Sequence, residues 1–99
     1  MTTATTQVLM IRPAEELGSV LSGRFEAEEL RERIERAAKG GHEVVVSFVD
    51  VEAMSPSFAD ELFAKLPEEL EDTGRVRFVD LDDDLLAIVR FVKESRARR

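Results

Sequence analysis

The 99-residue sequence has no cysteine, tryptophan or tyrosine, a single histidine, three prolines and five glycines. Without cysteine there is no disulfide framework, no thiol nucleophile and no thiolate metal site. That composition suits a reducing compartment, and the expected location is the cytoplasm. The lone His42 stands between Gly41 and a strand with no serine or cysteine partner in motif context, so it reads as a loop residue and not as a catalytic base. Cations are scarce as well. Fourteen Lys and Arg against 21 Asp and Glu leave a net charge of −7, which repels phosphate backbones and anionic lipid, so nucleic acid and membrane surfaces are excluded as partners. No apolar run approaches the ~20 residues that cross a bilayer. Met1–Thr6 lacks the basic-then-apolar order of a secretory signal. Gly40-Gly41 lacks the Gly-Lys-Ser/Thr ending of a phosphate loop, and no cofactor is implied.

What is present describes an ordinary globular chain, 43% hydrophobic and 35% charged. Its length suits one domain over residues 1–99, able to withdraw roughly 65% of its unfolded surface from water. Residues 1–6 and 96–99 are expected to fray. Gln7–Ile11 is an apolar run stopped by Arg12-Pro13, hence a first strand. Residues 14–23 hold Leu17, Val20 and Leu21 between glycines and admit a short helical turn, or a short strand pairing with the first. Phe25–Lys39 carries Leu30, Ile34 and Ala37/Ala38 at helical spacing, with Glu29/Arg33, Glu32/Arg36 and Glu35/Lys39 pairs on the wet side, and ends at Gly40-Gly41.

The chain is organised around Val44–Leu66. Val44, Val45 and Val46, continued by Phe48, Val49 and Val51, read as an interior strand covered on both faces. After a turn over Asp50–Met54, Ser55 supplies a cap and Pro56 a preset first helical residue, while Asp60 and Glu61 complement the helix dipole. Phe58, Leu62, Leu66 and Leu70 share one stripe, and Pro67 requires a break or kink near Leu66. Arg75–Val79 alternates as an edge strand does. Asp82 caps a last helix with Leu85, Ile88, Val89 and Val92 on one face, and Leu86 and Phe91 broaden that face beyond a single buried stripe. Strands alternating with helices give an α/β fold, a small mixed or mostly parallel sheet with helices packed against it.

The string Met54-Ser55-Pro56-Ser57-Phe58-Ala59-Asp60-Glu61-Leu62, preceded by Val45-Val46-Ser47-Phe48, resembles the signature of the STAS-like domains of unknown function. Those are in turn similar to the STAS domains of anti-sigma-factor antagonists. Leu17-Gly18, Leu21, Arg24, Ala27, Leu30 and Ile34 resemble the upstream part of the pattern. The resemblance implies a noncatalytic protein-interaction module in bacterial regulatory signalling, with a histidine-kinase-like ATPase as partner. It also places Ser57 where antagonists carry a phosphorylated serine, although their Asp-Ser-Ser-Gly is replaced here by Ser55-Pro56-Ser57-Phe58.

The expected partner surface is Met54, Ser55, Ser57, Asp60 and Glu61. For Ser57 the plain alternative is a polar first-turn residue. Asp60 and Glu61 are adjacent, and helical neighbours diverge by about 100°, so they do not form an acid/base pair facing one substrate. They read as dipole complement or partner contact, with Asp60 also able to cap back toward Ser57. Arg24 is expected to hold an anion or, more simply, a carboxylate, such as one on the central turn. Asp80, Asp82, Asp83 and Asp84 lack the glycine turn and terminal glutamate of a calcium loop, so they read as a helix start, and no metal site is assigned. A constitutive homodimer using Leu86 and Phe91 is the alternative function.

Overall fold

A computed structural model of the protein describes residues 7–98. Met1–Thr6 and Arg99, assigned above to frayed ends, lie outside the described residues. Three strands, β1 (Val8–Ile11), β3 (Glu43–Ser47) and β5 (Val76–Val79), form a sheet in the order β1-β3-β5, parallel throughout. β3 is the central strand and β5 lies at an edge, as their patterns required. Parallel neighbours need crossovers. The first runs through α1 (Pro13–Leu17), β2 (Val20–Leu21) and α2 (Arg24–Lys39), and the second returns through the region of Ser55.

The segment after Pro13 is both a helical turn and a strand. β2 does not pair with β1, however. It pairs in parallel with β4 (Ala53–Met54), Leu21 opposite Met54, in a separate two-stranded sheet. The turn after β3 is therefore partly a strand, tied down by Ser55 N–H donating to Leu21 O at 2.8 Å.

α2 buries Ala27, Leu30, Ile34 and Ala38, the 3-4-4 spacing of one helical stripe. It closes with Gly41 at φ 96°, while His42 N–H donates to Ala37 O and Gly41 N–H to Ala38 O. This is the 6→1 and 5→2 bonding that a left-handed glycine permits at a helix end. α5 (Asp83–Ala97) starts on Asp82, whose carboxylate accepts from Leu85 N–H at 2.8 Å.

The core lies on one side of the sheet. Val44 and Val46, with Leu9, Ile11, Val76 and Phe78, meet Leu30 and Ile34 of α2, Phe58 and Leu62 beyond β4, and Leu85, Val89 and Val92 of α5. Phe48, Phe63 and Phe78 gather there with ring centroids 4.4 to 6.2 Å apart. Because side chains alternate along a strand, Val8, Met10, Val45 and Arg77 project the other way. None of these four joins the core cluster. β3 is nevertheless buried on both faces, as its pattern required: Val44 and Val46 are fully buried on one, and Val45 and Ser47 are 6% and 4% exposed on the other.

Candidate functional site

The chain leaves β4 at Met54 and turns at once into α3 (Pro56–Ala59), which continues without a break into a π-helical turn (Asp60–Ala64). Ser55 is the cap in both senses. Its Oγ accepts from Phe58 N–H at 3.1 Å and donates to Ser22 O at 3.0 Å, fastening the helix start to the segment ahead of α2. Pro56 and Ser57 are exposed. The π turn is closed by Lys65 N–H donating to Asp60 O at 3.2 Å, and three consecutive residues, Glu61, Leu62 and Phe63, are buried in it. A turn buried over consecutive positions needs partners on several sides, and α2 and α5 flank it. The chain then breaks at Pro67, as expected, before α4 (Glu68–Asp72).

In the turn that follows Ser57 the structure assembles a cluster of charges. Glu61, 1% exposed, accepts from Lys65 Nζ at 2.9 Å, from Arg24 Nη1 at 3.3 Å and from Arg31 Nη2 at 3.3 Å. Asp60 receives a bidentate fork from Arg96, at 2.7 Å from Nε and 2.8 Å from Nη2, and Arg24 Nη1 lies 3.4 Å away. Four cations, Arg24, Arg31, Lys65 and Arg96, thus face three carboxylates, since Arg31 also binds Glu35. Burial pushes the Glu61 carboxyl up, but Lys65, Arg24 and Arg31 together outweigh it and hold it below the usual range. For Asp60 the Arg96 fork does most of the lowering. Both side chains stay ionised near neutrality. Salt bridges here join α2, the π turn and α5, three elements that no local sequence contact connects.

A comparison with protein families matches residues 26–86, more than half of the chain, to the STAS-like domain of unknown function. The chain belongs to that family. Comparison with curated proteins and with solved structures finds no match. The match begins at Glu26, so Leu17-Gly18, Leu21 and Arg24 fall outside it, while the whole Met54–Leu62 string falls inside.

In this STAS-like domain the expected surface residues separate. Ser55 is half-buried, with its hydroxyl engaged, and Ser57 is exposed. Met54 and Glu61 are buried, the first by pairing with β2 and packing in the core, the second by its three cations, so neither presents itself to a partner. Asp60 is mostly covered by Arg96 and does not cap back to Ser57. The geometric objection to Asp60 and Glu61 acting together also needs correction, because one nitrogen of Arg24 reaches both across the π turn. Arg24 does bind carboxylates, on that turn and not on the loop after β3.

Arg31, Lys65 and Arg96 are cluster members that sequence reasoning missed. Arg96 was assigned to a frayed end, yet its fork anchors the last turn of α5. A signal for Glu61 was present. It lies three residues after Phe58 and beside Leu62, on the apolar stripe, with Lys65 at i+4. Asp80 sits at φ 61° and accepts from Ser47 Oγ at 2.6 Å, and Asp82 is the cap. No helix of the described residues is long and apolar enough to cross a membrane.

Proposed function

We propose that this STAS-like domain is a noncatalytic protein-interaction module of the bacterial cytoplasm, acting in regulatory signalling. It presents the exposed start of α3 to a histidine-kinase-like ATPase that phosphorylates Ser57. The observation that carries the reading is an exposed serine on a braced helix start: Ser57 faces solvent while Ser55 beside it is bonded to both Phe58 and Ser22. A phosphate adds nearly two negative charges at neutral pH. Placed on Ser57 it would stand one turn from Asp60 and Glu61, whose repulsion is already offset by Arg24, Arg31, Lys65 and Arg96. The absence of a role in catalysis is supported by the same cluster. Carboxylates held ionised by arginine and lysine are poor proton donors at neutral pH. His42 also stands at the start of β3, the opposite end of the strand from the Ser55–Ser57 segment.

Incubation with the cognate ATPase and ATP, read by intact mass, is expected to add one phosphate that is lost in Ser57→Ala. Phosphate elsewhere, or none, removes the switch. A second reading, a constitutive homodimer through α5, is favoured by one observation: Phe91 is 62% exposed on that helix.

A further inference from the structure

A phosphate at a helix start is ordinarily received by free backbone N–H groups, and the start of α3 has few to give. Pro56 carries none, and Phe58 N–H already donates to Ser55 Oγ at 3.1 Å. A phosphoryl group on Ser57 therefore needs a side-chain cation.

The four cations of the neighbouring cluster differ in how firmly they are held. Arg96 is fixed by its two-bond fork on Asp60, at 2.7 and 2.8 Å. Lys65 lies 2.9 Å from Glu61 and on the turn beyond it, while Arg31 is shared between Glu61 and Glu35. Arg24 is the loose member. Among the described residues only its Nη1 is engaged, at 3.3 Å from Glu61 and 3.4 Å from Asp60, and its side chain is 49% exposed. Its Nε and Nη2 donors remain for another acceptor.

The placement of Arg24 fits that use. Ser22 O, two residues ahead of it, accepts from Ser55 Oγ at 3.0 Å, and its guanidinium reaches Asp60. Backbone and head thus bracket Ser57, which follows Ser55 by two residues and precedes Asp60 by three. Residues three and four apart on a helix are neighbours, with about 5 to 6 Å between Cβ atoms, so Ser57 stands on the side where Arg24 meets Asp60 and Glu61. A phosphate brings nearly two charges and three oxygens that a guanidinium binds through parallel bonds, more than either present partner offers Arg24. Neither carboxylate is left alone by the exchange, since Arg96 stays on Asp60, and Lys65 and Arg31 stay on Glu61.

Resting on the reading of Ser57 as the modified residue, we infer that Arg24 reads the phosphate: once Ser57 is phosphorylated, Arg24 leaves Asp60 and Glu61 and closes on the phosphoryl group, tying the start of α2 to the start of α3. In the transfer itself Ser57 Oγ bonds to the γ-phosphorus of ATP as the bond to ADP breaks, and the hydroxyl proton passes to solvent.

The test installs phosphoserine at position 57 of the full chain by codon suppression. It needs no kinase, so its failure is distinct from a failure of the ATPase to modify Ser57, which the intact-mass assay reads alone. Phosphorus NMR follows the second ionisation of the phosphate, near pH 6 for an unpaired group, in wild type, Arg24→Ala and Arg33→Ala. It is expected to fall at least about half a unit lower in wild type than in Arg24→Ala, and to be unmoved by Arg33→Ala on the α1 side of α2. Circular dichroism confirms that each variant is folded. A second measurement needs no variant: the Arg24 Nε–H resonance of the phosphorylated wild type is expected to move as the phosphate ionises. Equal ionisation in wild type and Arg24→Ala overturns the inference. So does an equal response to Arg33→Ala, which marks a general field and not a contact, and so does an Arg24 resonance that stays in place.

Discussion

Two ion-pair sites in this protein invert the usual reading of distance. Arg33 and Glu16, joining α2 to α1, form an ideal fork with both bonds at 2.8 Å, yet each side chain is more than two-fifths exposed. Around Glu61 two of the three bonds are longer, at 3.3 Å, but the carboxylate is out of water and its cations come from α2 and from the next turn of its own segment. The energetic weight follows burial. An exposed pair gains little over its hydrated parts and pays side-chain entropy, typically netting under about 1 kcal/mol. A buried carboxylate has already lost its hydration, so removing it or its partners leaves an uncompensated charge.

The comparison breaks most visibly at Glu61. Glu61→Ala is expected to cost about 3 kcal/mol in denaturant unfolding, at the low end for a disrupted buried pair because Arg24 and Lys65 can turn toward solvent. On a domain this size the melting temperature falls by more than about 10 °C. If the variant melts within 2 to 3 °C of wild type, the cluster is not what joins these helices.

Acid sharpens the contrast at an intermediate scale. Asp60 and Glu61 have carboxyl groups lowered in the folded state, the first chiefly by the Arg96 fork and the second by Lys65, Arg24 and Arg31 against the pull of burial. Their contribution is therefore complete above the unfolded-state values of about 4 and disappears as pH falls through the lower folded ones. Stability is expected to be nearly flat from pH 7 to 5 and to fall steeply below 4. Glu61→Gln should flatten that fall, and an unchanged slope contradicts the linkage. The smallest effect belongs to Glu16→Ala, expected to cost under about 1 kcal/mol despite its shorter bonds, with most of the loss already absent at 1 M salt.

The elements that declared themselves in the sequence are those whose signal is local. α2 announced its apolar spacing, its i,i+4 pairs and its Gly40-Gly41 stop. Ser55-Pro56 and Asp82 announced helix starts, and the valine run announced the central strand. What escaped depends on residues far apart in the chain. β2 and β4 are two residues each, too short to show alternation, and each exists because the other lies opposite it. Arg24 meets Asp60 across 36 positions and Arg96 meets Asp60 across another 36. A glutamate with no visible partner reads as wet, so Glu61 was placed at the surface along with Met54.

The strand order also bears on how this chain reaches its native state. No ladder of the main sheet joins neighbours in the chain: Val8 waits for Glu43, 43 − 8 = 35 positions on, and Val44 for Val76, 76 − 44 = 32 on. Hairpins that could form early and cheaply are missing from that sheet, so loop-closure entropy must be met before any strand contact returns energy. During synthesis the amino-terminal strand emerges without its mate, and refolding should be slow for a domain of this length, with helix signal in circular dichroism appearing before the sheet is assembled.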